Sequence, residues 1–213
     1  MNRPTEKGSP MTPDASLLPI VRVLTNVIDA ADPYGHSRSE RLARWTLAVA
    51  RALDVPRAMW TDLELGARLH DLGRHALLND VVQTPGALAP GDRALVQTHP
   101  TVGADLLRGI PGLEGAAAIV RAHHERPDGK GYPSGLIGEL IPIGARIVMV
   151  CAAYDAMTED RPYRRGLSSH EAREELLRHR GTQFFPEVVD AFVALLAAGT
   201  LDDAVIETPR RAA

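Results

Sequence analysis

Apolar residues recur every three or four positions along this chain, and no segment alternates apolar and polar residues for long. This spacing is typical of amphipathic α-helices, because residues three or four apart lie on one helix face. Aromatic residues make up only 4% of the chain, so leucine, valine, isoleucine and alanine must supply the core. The sequence therefore predicts an all-α protein, a helical bundle of roughly seven to nine helices, and its 213 residues suit one domain.

Proline, glycine and capping residues mark the ends of the predicted helices. Pro56 is placed to begin a third helix and Gly73 to end it. The dipeptide His99-Pro100 separates two later helices, since the residue before proline disfavours the helical conformation. Ser168 begins a capping-box pattern. The predicted helices span residues 16–31, 39–53, 56–72, 90–98, 100–108, 113–124, 143–159, 168–179 and 186–198, with one irregular loop at 126–142.

The composition argues against several classes of protein. A formal net charge of −3 gives no electrostatic indication of a nucleic-acid polymer as partner. Cys151 is the only cysteine, which rules out an internal disulfide and favours a reducing, cytoplasmic setting. No apolar run reaches the roughly 18 residues of a membrane span, and the polar N-terminus lacks the apolar core of a signal peptide. We therefore expect no membrane association, a helical domain at 16–200, and disordered tails at 1–15 and 201–213.

The segment LHDLGR places His70 and Asp71 beside an apolar helix face. Met59, Leu63 and Ala67 are spaced to share that face with His70, which is therefore predicted to point inward. A buried aspartate is costly unless it is paired or binds a metal ion. From these residues two interpretations stay open. One is a core histidine making a single hydrogen bond, with the aspartate capping nearby backbone, and the other is a metal site.

Three further histidines are candidates for the same site. His123 and His124 flank the buried face at the end of a predicted helix, just before a stretch with three glycines and two prolines in nine residues. His99 lies at a predicted helix break. The alternative for the pair is a surface position past the last turn, where histidine suits the helix dipole, and for His99 it is an ordinary junction.

Taken together, these residues have the chemistry of a metal centre. Imidazole and carboxylate ligands suit Fe, Mn, Zn or Ni, and a bridging carboxylate suits two ions close together. Such a centre can activate a water molecule and bind a phosphate, which predicts phosphodiester hydrolysis. The candidate ligands are His70, Asp71, His99, His123 and His124.

Longer motifs resemble the HD-GYP domain family, a branch of the HD phosphohydrolase superfamily. The segments LHDLGR and HHERPDGKGYP carry the resemblance first, and it extends over residues 32–192. Further segments in the family's order are QTPGALAP, HPTVGADLL, IPIGARIVMV, YDAMTEDRPYR and GTQFFPEVVDAF. The resemblance implies an all-α bundle, a centre of two or three metal ions, often iron or manganese, and hydrolysis of the bacterial messenger cyclic di-GMP.

The family's functional residues fall on named positions of this chain. His70 and Asp71 match the catalytic HD pair, in which the aspartate bridges metal ions. The resemblance implies metal-binding roles for His70, Asp71, His99, His123 and His124, and substrate-binding roles for Arg74, Tyr132, Arg161 and Arg164. Arg74 stands where the family usually has a lysine. The loop Gly131-Tyr132-Pro133 is implied to form part of the substrate pocket and of a partner-protein surface, although Tyr132 has an alternative as a loop-anchoring aromatic residue.

Two positions depart from the family's pattern. Its early motif, close to DPYTxxHSxRV, aligns without a gap on DPYGHSRSERL, so that a metal-binding histidine falls on Arg38. His36 lies two positions away, about 200° around a helix, and is a poor replacement. The family's late metal-binding aspartate falls on Ala152, and Asp155 matches a position that is usually structural. Both lost ligands belong to the same side of the centre, so we expect one ion to bind well and a second poorly or not at all.

The expected function follows from the resemblance and its departures. We expect a metal-dependent phosphohydrolase that hydrolyses cyclic di-GMP or a related cyclic dinucleotide, with weakened activity. The expected cofactor is one or two divalent ions, iron or manganese, with zinc or nickel as alternatives. A second hypothesis is a catalytically degenerate domain that binds a nucleotide or a partner protein in bacterial signalling. A third, an HD phosphohydrolase acting on another nucleotide, is disfavoured by the GYP segment.

Overall fold

A computed structural model describes residues 17–31, 37–77, 90–160 and 164–201 of the chain. These residues form eight α-helices of nine or more residues and two shorter ones. In chain order they are α1 (Leu17–Ala31), α2 (Arg38–Ala52), α3 (Trp60–Leu69), α4 (Leu72–Ala76), α5 (Pro90–Val96), α6 (His99–Leu107), α7 (Glu114–Ala122), α8 (Ile143–Thr158), α9 (Ser169–Arg178) and α10 (Pro186–Ala197).

The all-α prediction is confirmed. Within the described residues the only β-type pairings are two isolated bridges, Asp128 with Ile137 and Arg180 with Phe184. The first of these lies in the predicted irregular loop. No helix in the described ranges has the length and apolar character that a membrane span requires.

Most predicted helix boundaries agree with the structure to within two residues. The capping box at the start of α9 is present, because the Ser168 side chain accepts from the Glu171 backbone and the Glu171 side chain accepts from the Ser168 backbone. Two helices are separated near residue 99 as predicted, but the break falls at Gln97 and Thr98, and His99 is the first residue of α6. The predicted tail at 1–15, residues 202–213 of the predicted C-terminal tail, the segment QTPGALAP up to residue 89, His36 and Arg161 lie outside the described residues. Leu201, placed in the predicted C-terminal tail, instead packs in the core, and its carbonyl oxygen accepts from Trp45 Nε1 at 3.1 Å.

The predicted helix over 56–72 is wrong in its boundaries. A short 3-10 helix spans Arg57–Met59, and α3 ends at Leu69, before the HD pair. Met59 is 37% exposed and does not share the buried face. Gly73 does not end the helix but lies inside α4, where an added Cβ would come within 2.1 Å of the His99 carbonyl oxygen. Gly73 is therefore needed for the close approach of α4 to α6.

Leu17, Ile20, Leu24 and Ile28 recur at helical spacing along α1, but this spacing does not identify the face that packs. Ile20 and Leu24 are 59% and 55% exposed, whereas Val21 and Thr25 are buried. Thr25 is accommodated because its hydroxyl donates to the Val21 carbonyl oxygen, 3.0 Å away. A polar residue thus lies on the packed side of this helix, which an analysis based on apolar spacing cannot detect.

Two apolar clusters position the histidine-bearing helix ends. The larger cluster surrounds α8 and includes an edge-to-face contact between Trp45 and Tyr154, with ring centroids 5.6 Å apart. The smaller one joins α1, α3, α6 and α7, and it contains Leu69 and Val120. Leu69 directly precedes the HD pair, and Val120 lies three residues before His123. The core therefore anchors both helices at the points where their candidate ligands begin.

Candidate metal centre

The five candidate ligands, which come from three separate segments, converge around the Asp71 carboxylate. Its Oδ2 lies 3.4 Å from His70 Nε2, and its Oδ1 lies 3.4 Å from His99 Nε2. His99 Nε2 is in turn 3.2 Å from His123 Nε2. The ring of His124 lies 4.2 Å from that of His123, measured between centroids. Residues that are up to 54 positions apart in sequence therefore share one small volume.

Backbone carbonyl groups fix the orientation of three of the imidazoles. In His70, His99 and His123, the Nδ1 atom faces the carbonyl oxygen of the residue three positions earlier, at 2.9, 2.7 and 2.7 Å. A carbonyl oxygen can only accept a hydrogen bond, so each Nδ1 must carry a proton and donate it. In the neutral ring the Nε2 atom then presents a lone pair to the centre, the arrangement usual for metal-binding histidines.

The contact between His99 and His123 tests whether a metal ion fits this arrangement. Both Nε2 atoms present lone pairs when the rings are neutral, and lone pairs 3.2 Å apart repel each other unless a cation lies beside them. Two nitrogens at this separation, each about 2.1 Å from one ion, subtend roughly 100° there, which suits tetrahedral or octahedral coordination. His124 completes a set of three imidazoles whose ligand atoms lie within 4.8 Å of one another. The residues present therefore fit a divalent metal ion.

The charge states of the site also suit a cation. Burial lowers the pKa of His99, lowers that of His123 well below its usual range, and lowers that of His124 to about 3, so these rings are neutral at pH 7. Burial alone would raise the pKa of Asp71. However, Arg74, His70 and Arg38 more than offset this effect, and the pKa lies well below its usual range. Three neutral imidazoles and one carboxylate are the deprotonated ligands that metal binding requires.

These shifts predict how stability depends on pH. A histidine that stays neutral in the fold but takes up a proton in the unfolded chain makes the unfolded state bind more protons. For His124 this difference acts between pH 6.5 and about 3. The free energy of unfolding of the metal-free protein should therefore decrease as the pH is lowered through this window, by up to about 1.4 kcal/mol per pH unit for each such histidine. Urea denaturation at pH 7 and pH 5 with a chelator would measure it, and equal stability at both would contradict the prediction.

His124 is oriented by an aromatic ring. Tyr132 stacks on it with ring centroids 4.7 Å apart and an interplanar angle of 17°. The Tyr132 backbone N–H donates to the His124 carbonyl oxygen at 3.2 Å. Gly131 permits this return of the chain, since an added Cβ there would lie 2.4 Å from the Arg126 nitrogen. Burial raises the pKa of Tyr132 to about 12, so its phenol stays protonated beside the histidine cluster.

Glu125 anchors the GYP loop, a role that the sequence analysis missed. Its side chain is buried, and its two oxygens accept from the backbone N–H groups of Ser134 and Leu136 at 2.6 and 2.9 Å. A glutamate directly after the paired histidines and before a glycine-rich loop was the available signal. Its partners lie 9 and 11 residues later, beyond the local spacing that identifies helix caps.

We expect Glu125→Gln to destabilise the fold by about 2–4 kcal/mol, because an amide nitrogen would then face a buried backbone donor. Urea denaturation would measure this loss, and hydrogen exchange at Ser134 and Leu136 should accelerate. Glu139→Gln is the matched control in the irregular loop at 126–142, which contains the GYP loop. Its side chain is 87% exposed, and its ion pair with Arg146 should contribute less than about 1 kcal/mol. Equal losses for the two variants would contradict the role given to Glu125.

Arg38 occupies the other side of the Asp71 carboxylate. Its Nη1 lies 3.8 Å from Asp71 Oδ2, and its Nε lies 2.9 Å from Asp155 Oδ2. Asp155 is buried, and its Oδ1 accepts from Arg41 Nε at 2.7 Å. Position 38 thus faces Asp71, and a guanidinium group stands where the family's pattern has an imidazole. Ala152, partly exposed on α8 one turn before Asp155, offers no ligand atom.

The predicted substrate-binding residues are placed in different ways. Arg74 lies 3.3 Å from Asp71 Oδ2 through its Nη1 and is partly exposed. Tyr132 lies against His124. Arg164 is exposed, and its Nη2 donates to the Ala156 carbonyl oxygen at 2.7 Å. Arg161 lies outside the described residues.

Comparisons with known proteins agree with this geometry. Residues 22–202 match the HD domain family. The chain is 36% identical, over 80% of its length, to the cyclic di-GMP phosphodiesterase response regulator RpfG of Xanthomonas campestris pv. campestris, of which it covers 46%. It is 32% identical, over 93% of its length, to the 3'3'-cGAMP-specific phosphodiesterase 3 of Vibrio cholerae, of which it covers 42%. The chain therefore spans less than half the length of these two relatives.

A solved structure gives the same assignment. The protein Bd1817 of Bdellovibrio bacteriovorus, described as an HDG"Y"P protein, superposes with a TM-score of 0.62 at 25% identity, covering 75% of this chain and 51% of that one. The family match covers far more than half of the sequence and includes every candidate ligand described above. This chain belongs to the HD domain family, in the HD-GYP branch that its own motifs predict.

Proposed function

We propose that this chain is a metal-dependent phosphohydrolase that cleaves a cyclic dinucleotide, cyclic di-GMP or a related molecule. The observation that carries the proposal is the convergence of the Nε2 lone pairs of His70, His99 and His123 with the ionised carboxylate of Asp71. Relatives named as cyclic di-GMP and 3'3'-cGAMP phosphodiesterases support the substrate class.

In this proposal the imidazole side of the centre binds one divalent ion. Its ligands are His99, His123, His124 and Asp71, with His70 beside the carboxylate. When bound, such an ion makes water more acidic and polarises a phosphate oxygen. The mixed nitrogen and oxygen ligands suit iron or manganese, with zinc or nickel as alternatives.

The chain's own residues then position substrate and protons. Asp71, ionised at neutral pH, can accept a hydrogen bond from an attacking water and so orient it near the carboxylate. Arg74 extends from this carboxylate towards solvent and can bind a phosphate oxygen through its planar group. The phenol of Tyr132 remains protonated and can donate a hydrogen bond at the edge of the histidine cluster.

A second candidate function is supported by the departures from the family's pattern. Arg38 replaces a ligand and Ala152 supplies none, which favours a domain that binds a cyclic dinucleotide without hydrolysing it.

The loop after the paired histidines exposes two apolar side chains. Ile137 is 57% exposed and Leu140 is 69% exposed. We propose this loop as the contact surface for a signalling partner protein in either case.

Turnover measurements separate the two functions. The purified chain, supplied with Mn²⁺ or Fe²⁺, should slowly convert cyclic di-GMP or 3'3'-cGAMP to linear products, which chromatography detects, and a chelator should stop the reaction. Binding of either nucleotide without turnover would favour the non-enzymatic function. Neither binding nor turnover would rule out both nucleotides as ligands.

The arginines after α8 provide a separate test of substrate binding. Changing Arg161 and Arg164 to alanine together should weaken cyclic di-GMP binding by about tenfold or more, since each charged hydrogen bond to phosphate contributes about 1.5–3 kcal/mol. Bound metal should not change. Calorimetry and metal analysis measure the two quantities, and Arg178→Ala, at an exposed position of α9, is a control for loss of charge. Unchanged affinity would show that these arginines do not contact substrate.

A further inference from the structure

The two oxygens of the Asp71 carboxylate face different kinds of group. Oδ1 lies 3.4 Å from His99 Nε2, on the side of the imidazoles. Oδ2 lies 3.3 Å from Arg74 Nη1 and 3.8 Å from Arg38 Nη1, with His70 Nε2 also near it at 3.4 Å. A carboxylate that would bridge two cations in this family therefore lies between one imidazole cluster and one pair of guanidinium groups.

A buried carboxylate fixes the position of the Arg38 guanidinium. Asp155 has a side chain only 1% exposed, and each of its oxygens contacts a different arginine. Oδ2 lies 2.9 Å from Arg38 Nε, and Oδ1 accepts from Arg41 Nε at 2.7 Å. Asp155 forms an ion pair with the Nε edge of Arg38, and Nη1 of the same guanidinium lies 3.8 Å from Asp71 Oδ2. Arg41 contacts the same carboxylate, and among the residues that the structure describes it forms no ion pair with Asp71.

Arg38 also lines a cleft beside Asp71. The cleft is lined by Arg38, His70, Asp71, His75 and Arg68, among others, and it meets solvent. The Arg38 side chain is 17% exposed, so part of it reaches this space. A guanidinium has no lone pair with which to bind metal, but its planar N–H groups match the oxygens of a phosphate.

We propose that Arg38 binds a non-bridging oxygen of the scissile phosphodiester and takes the place of a second metal ion as the cation on that side of Asp71. This inference rests on the proposed phosphodiester substrate. It assigns a substrate-binding role to the arginine that stands where the family's pattern has a histidine. Asp155 is then the positioning residue for Arg38.

The test measures binding of a hydrolysis-resistant phosphorothioate analogue of cyclic di-GMP to the full chain by calorimetry. Arg38→Gln should weaken binding by about 10- to 100-fold, the loss expected for one charged hydrogen bond. Arg38→Lys keeps the charge but not the planar guanidinium group. Its affinity for the analogue should lie between that of Arg38→Gln and that of the unchanged protein. Metal content should stay the same in both variants, since the imidazole side is unaltered.

Two controls separate phosphate binding from structural effects. Arg41→Gln removes the other partner of Asp155 but no contact with Asp71, and Arg44→Gln removes an exposed charge from the same helix. Both should change affinity by less than about threefold. If Arg41→Gln weakens binding as much as Arg38→Gln, or if neither does so, the inference is wrong. Circular dichroism and thermal unfolding of each variant confirm that it folds.

A wrong substrate assignment can be distinguished from a wrong role for Arg38. If the unchanged chain does not bind the analogue, the substrate assignment fails, and titration with pyrophosphate then decides the role of Arg38. Pyrophosphate binding that Arg38→Gln weakens at least tenfold, with Arg41→Gln unaffected, would support Arg38 as a phosphate-binding residue. Pyrophosphate binding that is absent, or equal in all variants, would overturn it.

Discussion

His123→Ala is expected to lower metal affinity by at least about 100-fold and to reduce phosphodiester hydrolysis to background. Loss of an outer residue that merely orients a ligand commonly reduces affinity by 10- to 100-fold, and loss of a ligand should cost at least as much. His123 lies at the middle of the cluster. Its Nε2 is 3.2 Å from that of His99, and its ring lies 5.3 Å from that of His70 and 4.2 Å from that of His124, between centroids.

Two further variants make this result specific. His123→Gln keeps most of the buried volume and should also lose metal, which separates loss of a ligand from formation of a cavity. His170→Ala removes an exposed histidine from the first turn of α9 and should change neither metal content nor turnover. Metal analysis and a cyclic di-GMP assay measure the two effects. Full metal content in His123→Gln would show that His123 is a structural histidine.

The second large effect is expected from restoring both missing ligands. Arg38→His together with Ala152→Asp should increase the amount of bound metal and raise the rate of hydrolysis by about tenfold or more. Both gains should exceed the sum of the gains from the two single changes. Groups that share one site are not additive. Each single change is expected to bring little gain, because one ligand of the second ion remains absent.

The structure gives a reason for this non-additivity. With Ala152→Asp alone, Arg38 remains beside Asp71 and Asp155, and the new carboxylate can pair with its guanidinium rather than with metal. With Arg38→His alone, the phosphate-binding guanidinium is lost, yet only one ligand is gained. Arg41 keeps Asp155 paired in every variant, so the fold should tolerate the changes. Equal metal content in the double variant and the unchanged chain would contradict this account.

The sequence predicts most of the fold because the helix signals are local. Ser168 and Glu171 form their capping box within four residues, and α6 begins within one residue of the start predicted at Pro100. The failures occur where packing decides. Thr25 is buried and Leu24 exposed on α1, because the side of a helix that packs depends on its neighbours rather than on its own spacing.

The candidate ligands of the site could be predicted from the sequence, whereas the contacts that support them could not. The spacing of apolar residues indicates that His70 and His123 point inward, and family motifs bring them together with His99. The pairing of Arg38 and Arg41 with Asp155 joins residues more than 110 positions apart, and no local pattern indicates it. The anchoring of the GYP loop by Glu125 was missed for the same reason, since its partners are backbone groups that only the folded loop brings near.

The number of metal ions per chain tests the central claim most directly. That claim is that the imidazole side of Asp71 binds one ion, while Arg38 occupies the side of a second. Metal analysis of the purified chain, reconstituted with excess Mn²⁺ or Fe²⁺ and freed of unbound ion, should give one ion per chain. The Arg38→His, Ala152→Asp variant should give two under the same conditions. Two tightly bound ions in the unchanged chain would contradict the account, because the Arg38 guanidinium and a second metal ion could not both occupy that side of Asp71.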